Sequence, residues 1–172
     1  MPRSLATRAT STGSPAGDLC LHLYLNAFAN NRTTLMTAEA ERAARWAARF
    51  PEQWGGIDLT AIRIGDADVT NRLEFIQPDD GNPYDHTLAR LPLTRAVSPG
   101  GSVKVAFDFV AHLPRVFRRA GHADPFFFVA QWFPKLGVFQ DGGWECHQYH
   151  ATSEFFADFG TYDVSLTVPV GF

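Results

Sequence analysis

The residues best suited to chemistry stand together at Cys146-His147-Gln148-Tyr149-His150, preceded by Glu145. Thiolate, imidazole and carboxylate are the usual zinc ligands. A closed zinc site takes four ligands, however, and a catalytic one takes three at suitable spacing. No second Cys/His pair matches this one, and in an extended segment His147 and His150 point to opposite faces. Cys146, His147 and His150 are therefore weak metal candidates, and the preferred reading has them hydrogen-bonding a loop against an aromatic core. A second group, Pro78-Asp79-Asp80-Gly81-Asn82-Pro83-Tyr84-Asp85, gathers three carboxylates and an amide. Its spacing departs from the twelve-residue calcium loop, and its residue types are the standard turn formers. His22, in an alternating segment beside Tyr24, reads as a satisfied, half-buried histidine. The chain offers no glycine-flanked serine elbow, no G-x-x-x-x-G-K-[ST] and no G-x-G-x-x-G. Taken residue by residue, nothing here is a catalytic site.

The elements that hold these residues read as mainly β. Asp18–Phe28 alternates, with Leu19, Leu21, Leu23 and Leu25 on one side and Cys20, His22, Tyr24 and Asn26 on the other, as in a half-buried strand. Thr37–Phe50 changes period: Ala43, Trp46, Ala47 and Phe50 mark one short amphipathic helix, with Thr37 as N-cap and Pro51 as its stop. Strands then follow at Ile57–Ile64, with a bulge near Ala61-Ile62, and at Leu73–Gln77, Thr87–Leu93 and Ser102–Leu113. The stretch Phe126–Phe159 holds eight of the fifteen Phe and two of the four Trp. It reads as the keel of the core, with Phe126–Phe133 an interior strand apolar on both faces. His150–Phe159 and Tyr162–Pro169 read as a final strand pair. The expected fold is an antiparallel β-sandwich or saddle-like curved sheet with one helix.

At 172 residues the chain fits one domain that buries roughly 70% of its unfolded surface. Residues 1–17, small and polar with Arg, Ser and Thr but no acid, are expected as a flexible or truncated segment ahead of a β domain at 18–172. They have no hydrophobic centre and do not form a secretory signal, although their composition is compatible with an organelle transit peptide. The net charge of −3 gives no basic face for nucleic acid, and Arg42/Arg45/Arg49 and Arg115/Arg118/Arg119 read as solvated faces. No apolar run reaches the roughly 18 residues of a membrane span, so a soluble chain of unassigned compartment is expected. Cys20 and Cys146 are too few and too distant for a disulfide framework and are expected reduced.

Four segments give these residues a second meaning: LHLYLNAFANNRTT, FIQPDDGNPYDHT, FFFVAQWFPKLGVF, and W-x-x-H-Q-Y-H-A-T-S-E-F-F-A-D-F-G-T-Y-D-V-S-L-T-V-P. Together they resemble the N-terminal domain of zinc aminopeptidases related to aminopeptidase N and leukotriene hydrolase, in a divergent bacterial branch. The likeness runs from about Leu21 to Pro169, most specifically through Gln131–Val138 and Ser153–Val164. It implies a saddle-shaped, non-catalytic β domain that packs on the catalytic domain of the same polypeptide and helps cap the cleft for a peptide substrate. Zinc, a cofactor of that catalytic domain, is held in the family by H-E-x-x-H and a distant Glu, with G-x-M-E-N as the exopeptidase motif. No His here is followed by Glu, and the only methionines are Met1 and Met36. The resemblance therefore implies no cofactor and no peptidase activity in this chain by itself. A Q-x-[QE] element that holds the substrate's amino end aligns with Gln131-Trp132-Phe133, where Phe133 departs from the pattern. Gln131 and Trp132 are thus the implied substrate-side residues. The family's domain begins several strands earlier, so the front of the sheet is expected to be missing. Two alternatives stay open: a free-standing β-sandwich binding module that uses exposed aromatics, and a small metalloprotein on Cys146, His147 and His150.

Overall fold

A computed structural model describes residues 3–10, 13–158, 167 and 170. Its strands are β1 (Arg3–Thr10), β2 (Ala16–His22), β3 (Gly56–Ile64), β4 (Ala67–Asp68), β5 (Glu74–Phe75) and β6 (Leu88–Val97). They continue as β7 (Ser102–His112), β8 (Gly121–Ala123), β9 (Phe126–Phe128), β10 (Lys135–Leu136), β11 (Val138–Gln140) and β12 (Gly143–Glu145). Antiparallel pairing gives two four-stranded sheets, β1-β7-β3-β4 and β10-β2-β6-β5, and two hairpins, β11-β12 and β8-β9. The protein is mainly β, as expected. One cluster of buried side chains draws on both large sheets, from Leu19, Leu21 and Leu91 on one to Ile62, Phe107 and Phe109 on the other.

Period-two burial sets these sheets. Along β7, Val105, Phe107 and Phe109 are buried and their neighbours are not, which is the alternation of a one-sided strand. β3 carries its register shift between Leu59 and Ala61, beside the bulge expected at Ala61-Ile62. β2 differs from expectation. It ends at His22 instead of running to Phe28, and Tyr24–Phe28 winds into a 3₁₀ helix with every residue buried. Cys20 and His22 are as buried as Leu19 and Leu21, so the strand is interior on both faces rather than half-buried. The turn to helix is fixed by Asn26: its Nδ2 donates to the His86 carbonyl at 2.9 Å and its Oδ1 accepts the Ile57 N–H at 2.7 Å.

The expected single helix is two, α1 (Thr34–Ala38) and α2 (Ala40–Arg49), broken at Glu39. Thr33 caps α1, its hydroxyl accepting the Met36 N–H at 3.3 Å, and Glu39, not Thr37, stands at the N-cap of α2. At the break, the Glu39 carboxylate is engaged by Arg118 and, at 3.0 Å, by Arg42. Arg119 grips Glu154 through two bonds of 2.5 and 2.7 Å. Arg118 and Arg119 are ion-paired within the chain, while Arg42, Arg45 and Arg119 keep half or more of their side chains exposed, as the expected solvated faces do.

Arg3–Thr10, within the segment expected to be flexible or truncated, is a strand that pairs with β7 along its full length, from Arg3 opposite Phe109 to Thr10 opposite Ser102. Phe126–Phe133 is not an interior strand. β9 pairs only with the three-residue β8 among the described residues, and Phe126, Phe127, Phe128 and Val129 are 61%, 45%, 50% and 50% exposed. The expected strand at His150–Phe159 shows no strand from residue 150 to 158, and Tyr162–Pro169 falls largely outside the described residues. No helix among the described residues is long and apolar enough to cross a membrane.

Candidate functional site

The acidic turn and the histidines meet in one polar knot. Asp85, fully buried, accepts the Thr34 N–H at 3.0 Å and the Thr87 N–H at 2.9 Å, and the Thr87 hydroxyl as well. Gln148, also fully buried, donates to Thr34 Oγ1 and to Asp80 Oδ1, both at 2.9 Å. Its N–H donates to Asp79 Oδ2 at 2.7 Å, and its Oε1 accepts the Asp79 N–H at 3.2 Å. Burial pushes the Asp80 carboxyl up, but hydrogen bonds from the Asn82 N–H, Thr34 and Gln148 outweigh it and leave its pKa below the ordinary value. Every carboxylate of the turn is thus spent on protein donors. The turn expected at Pro78–Asp85 is present, and its acids tie α1 to the segment around Gln148 instead of facing a cation.

Cys146, His147 and His150 do not converge. His147 Nδ1 lies 2.8 Å from the Gln148 carbonyl, and His150 Nε2 lies 2.7 Å from Asp79 Oδ2. The Cys146 sulfur sits over Gly137, 2.3 Å from where a Cβ there would stand. Among the described residues no group of three or more His, Cys, Asp or Glu is placed to hold a metal ion. His22 is wholly buried and stacks on Tyr24 at a 4.7 Å centroid distance, and neither ring nitrogen has a partner among the described residues. Burial first, then the charges of His147 and Lys135, lower its pKa from 6.5 to about 4, so it is held neutral.

Gln131 and Trp132 lie elsewhere. Gln131 takes a positive φ of 53°, a conformation uncommon for residues other than glycine and often retained at functional positions. It stands two residues after the exposed run Phe126–Val129, beyond the partly buried Ala130, and borders a cavity of about 10 Å³ with Tyr24, Phe28, Arg119, Tyr149 and Phe155. Trp132, half-buried, packs on Phe109 at 5.8 Å and on Phe133 at 5.9 Å. The two residues named from the sequence therefore sit at the base of an exposed aromatic strip, well separated in role from the polar knot. Sequence reasoning missed the burial of His22 and the central position of Gln148. Strand alternation signalled neither, because His22 was assigned to a solvent face and Gln148 follows no periodic pattern. Comparison with protein-family models, with curated proteins and with solved structures finds no match.

Proposed function

We propose that this chain is the non-catalytic β domain of a larger zinc-aminopeptidase-like protein, packing on the catalytic domain through Phe126–Val129 and lending Gln131 and Trp132 to the rim of the substrate cleft. The observation that carries the reading is an exposed apolar strip with Gln131 held at positive φ two residues beyond it. Four consecutive large apolar residues left open on a short hairpin are a surface in want of a neighbour. The strained residue beside them is the one that the family resemblance aligns with substrate binding. Zinc and its general base belong to the partner domain in this reading, and this chain supplies none of the metal's ligands.

In the complete protein, Gln131→Ala is expected to raise KM or lower kcat/KM for peptide amides several-fold. Kinetics unchanged from the parent would remove Gln131 from the cleft. The same exposed strip also suits a free-standing binding module without enzymatic activity. The intact mass of the protein purified from its own cells separates the two readings: a value several-fold above 19.1 kDa fits the domain reading, and 19.1 kDa itself fits the module.

A further inference from the structure

A cavity of about 470 Å³ lies between the two large sheets, walled by the end of β3, β4 and the start of β7 on one side and by the second half of β6 on the other. Its place follows from a bulge. Asp18 pairs with Pro92 and Ala16 with Val97, so two steps along β2 answer five along β6. The surplus residues of β6 interrupt the ladder and bend the strand, and strand bulges recur beside binding sites. Both walls are pinned by the chain's own hydrogen bonds. The Val69 N–H donates to the Ile62 carbonyl and the Ile62 N–H to Thr70 Oγ1, each at 2.8 Å. On the bulge, the Thr94 hydroxyl accepts from the Arg72 guanidinium. Between β6 and β7 the Gly101 N–H donates to the Ser98 carbonyl at 2.8 Å and closes the turn.

The lining decides what fits. Ile64, Val69, Leu93, Val97 and Val103 make it aliphatic, and among the described residues no acid and no aromatic ring lines it. Arg95, on the bulge, is the cation of the lining; it is exposed and has no ion pair among the described residues. The arginines nearby on the same strands are already engaged, Arg63 by Asp108 and Arg90 by Glu74, each at 2.7 Å. Asp66 and Asp68 flank Ala67 outside the lining, and Asp68 Oδ1 accepts the Thr70 N–H and hydroxyl at 2.9 and 2.6 Å. The volume is that of a small-molecule site, for which roughly 300–1,000 Å³ is usual. Aliphatic walls give a flexible hydrocarbon tail full contact and offer a flat ring nothing to stack on. An unpaired guanidinium at the mouth matches a carboxylate, which it can take through two parallel N–H donors. We propose that this cavity binds a medium-chain alkyl carboxylate, its tail between the sheets and its head on Arg95. The tail supplies most of the affinity through the apolar surface it buries, and Arg95 selects the head. Binding is non-covalent, and it is independent of the strip at Phe126–Val129.

The test titrates the 172-residue chain calorimetrically with sodium decanoate, below the concentration at which it forms micelles, and with decanol. One saturable decanoate site per chain is expected, with decanol bound more weakly. Arg95→Ala, an exposed position, should weaken decanoate by about 5-fold or more and leave decanol unchanged. Ala67→Trp, also exposed, fills the mouth and should abolish binding of both. No saturable binding, or an unchanged preference for decanoate in Arg95→Ala, would overturn the site. A second measurement needs no variant: in amide nuclear magnetic resonance spectra of the unaltered chain, decanoate should shift residues 64–69 and 93–103. Shifts confined to residues 126–129 would put the ligand on the aromatic strip and refute the cavity.

Discussion

Leu19–Leu25 and Phe126–Val129 are comparably apolar runs, yet one lies entirely inside the molecule and the other on its surface. The difference lies in what each run pairs with. β2 is flanked by β6 along most of its length and by β10 at its end, and the 3₁₀ turn that follows it is anchored by Asn26. β9 has three residues and, among the described residues, one three-residue neighbour; His122 stacks on Phe127 at 6.0 Å, and the rings stay about half exposed. Hydrophobicity states what a strand gains from burial; only long-range pairing decides whether burial happens. A segment that keeps its apolar surface exposed is the place to look for contact with something else.

The sharpest way to break this comparison is at Asp85, in the polar knot beside the buried run. Asp85→Ala strands the Thr34 and Thr87 donors away from water, and a loss of about 3–5 kcal/mol is expected in urea unfolding. A loss below about 1 kcal/mol would mean that the knot is solvated.

Acid tests the same interior. His22 has a folded pKa of about 4 against 6.5 unfolded, so the unfolded chain binds the extra proton first. Its contribution to stability is intact above pH 6.5, falls as the pH drops below that, and is gone below pH 4, for a total of about 3 kcal/mol. His22→Phe keeps a ring against Tyr24 and is expected to flatten this part of the stability–pH curve. An unchanged slope would place the proton uptake elsewhere.

Gly137→Ala drives a methyl group into the Cys146 sulfur and is expected to cost about 1–3 kcal/mol. The double variant Gly137→Ala/Cys146→Gly, which clears the sulfur, should recover part of that loss; no recovery would mean that the backbone rather than the thiol sets the limit. Phe126→Ser on the exposed strip carries the smallest expected effect, within about 0.5 kcal/mol of the parent. A core-sized loss there would erase the contrast between the two runs.

Much of the fold was legible in the sequence because its signals are local. The β7 alternation, the β3 bulge and the acidic turn each follow from residues within a few positions of one another. What was not legible depends on distant partners. Arg118 reaches back to Glu39 at the helix break, and the Cys146 sulfur comes to lie over Gly137 only through the fold of the distant strands. The extent of the N-terminal strand was not legible because small polar residues carry little periodic signal, whereas the full-length pairing with β7 supplies its order. At the candidate site the positions Gln131 and Trp132 came from resemblance, and the positive φ of Gln131 could not have been read from composition.

The central claim is that Phe126–Val129 is covered in the protein as it works. Hydrogen exchange at the amides of residues 126–129, compared between the protein purified from its own cells and the isolated 172-residue chain, tests it most directly. Strong protection in the former and rapid exchange in the latter is the expected result. Equally rapid exchange in both would contradict the claim and leave the strip without a partner.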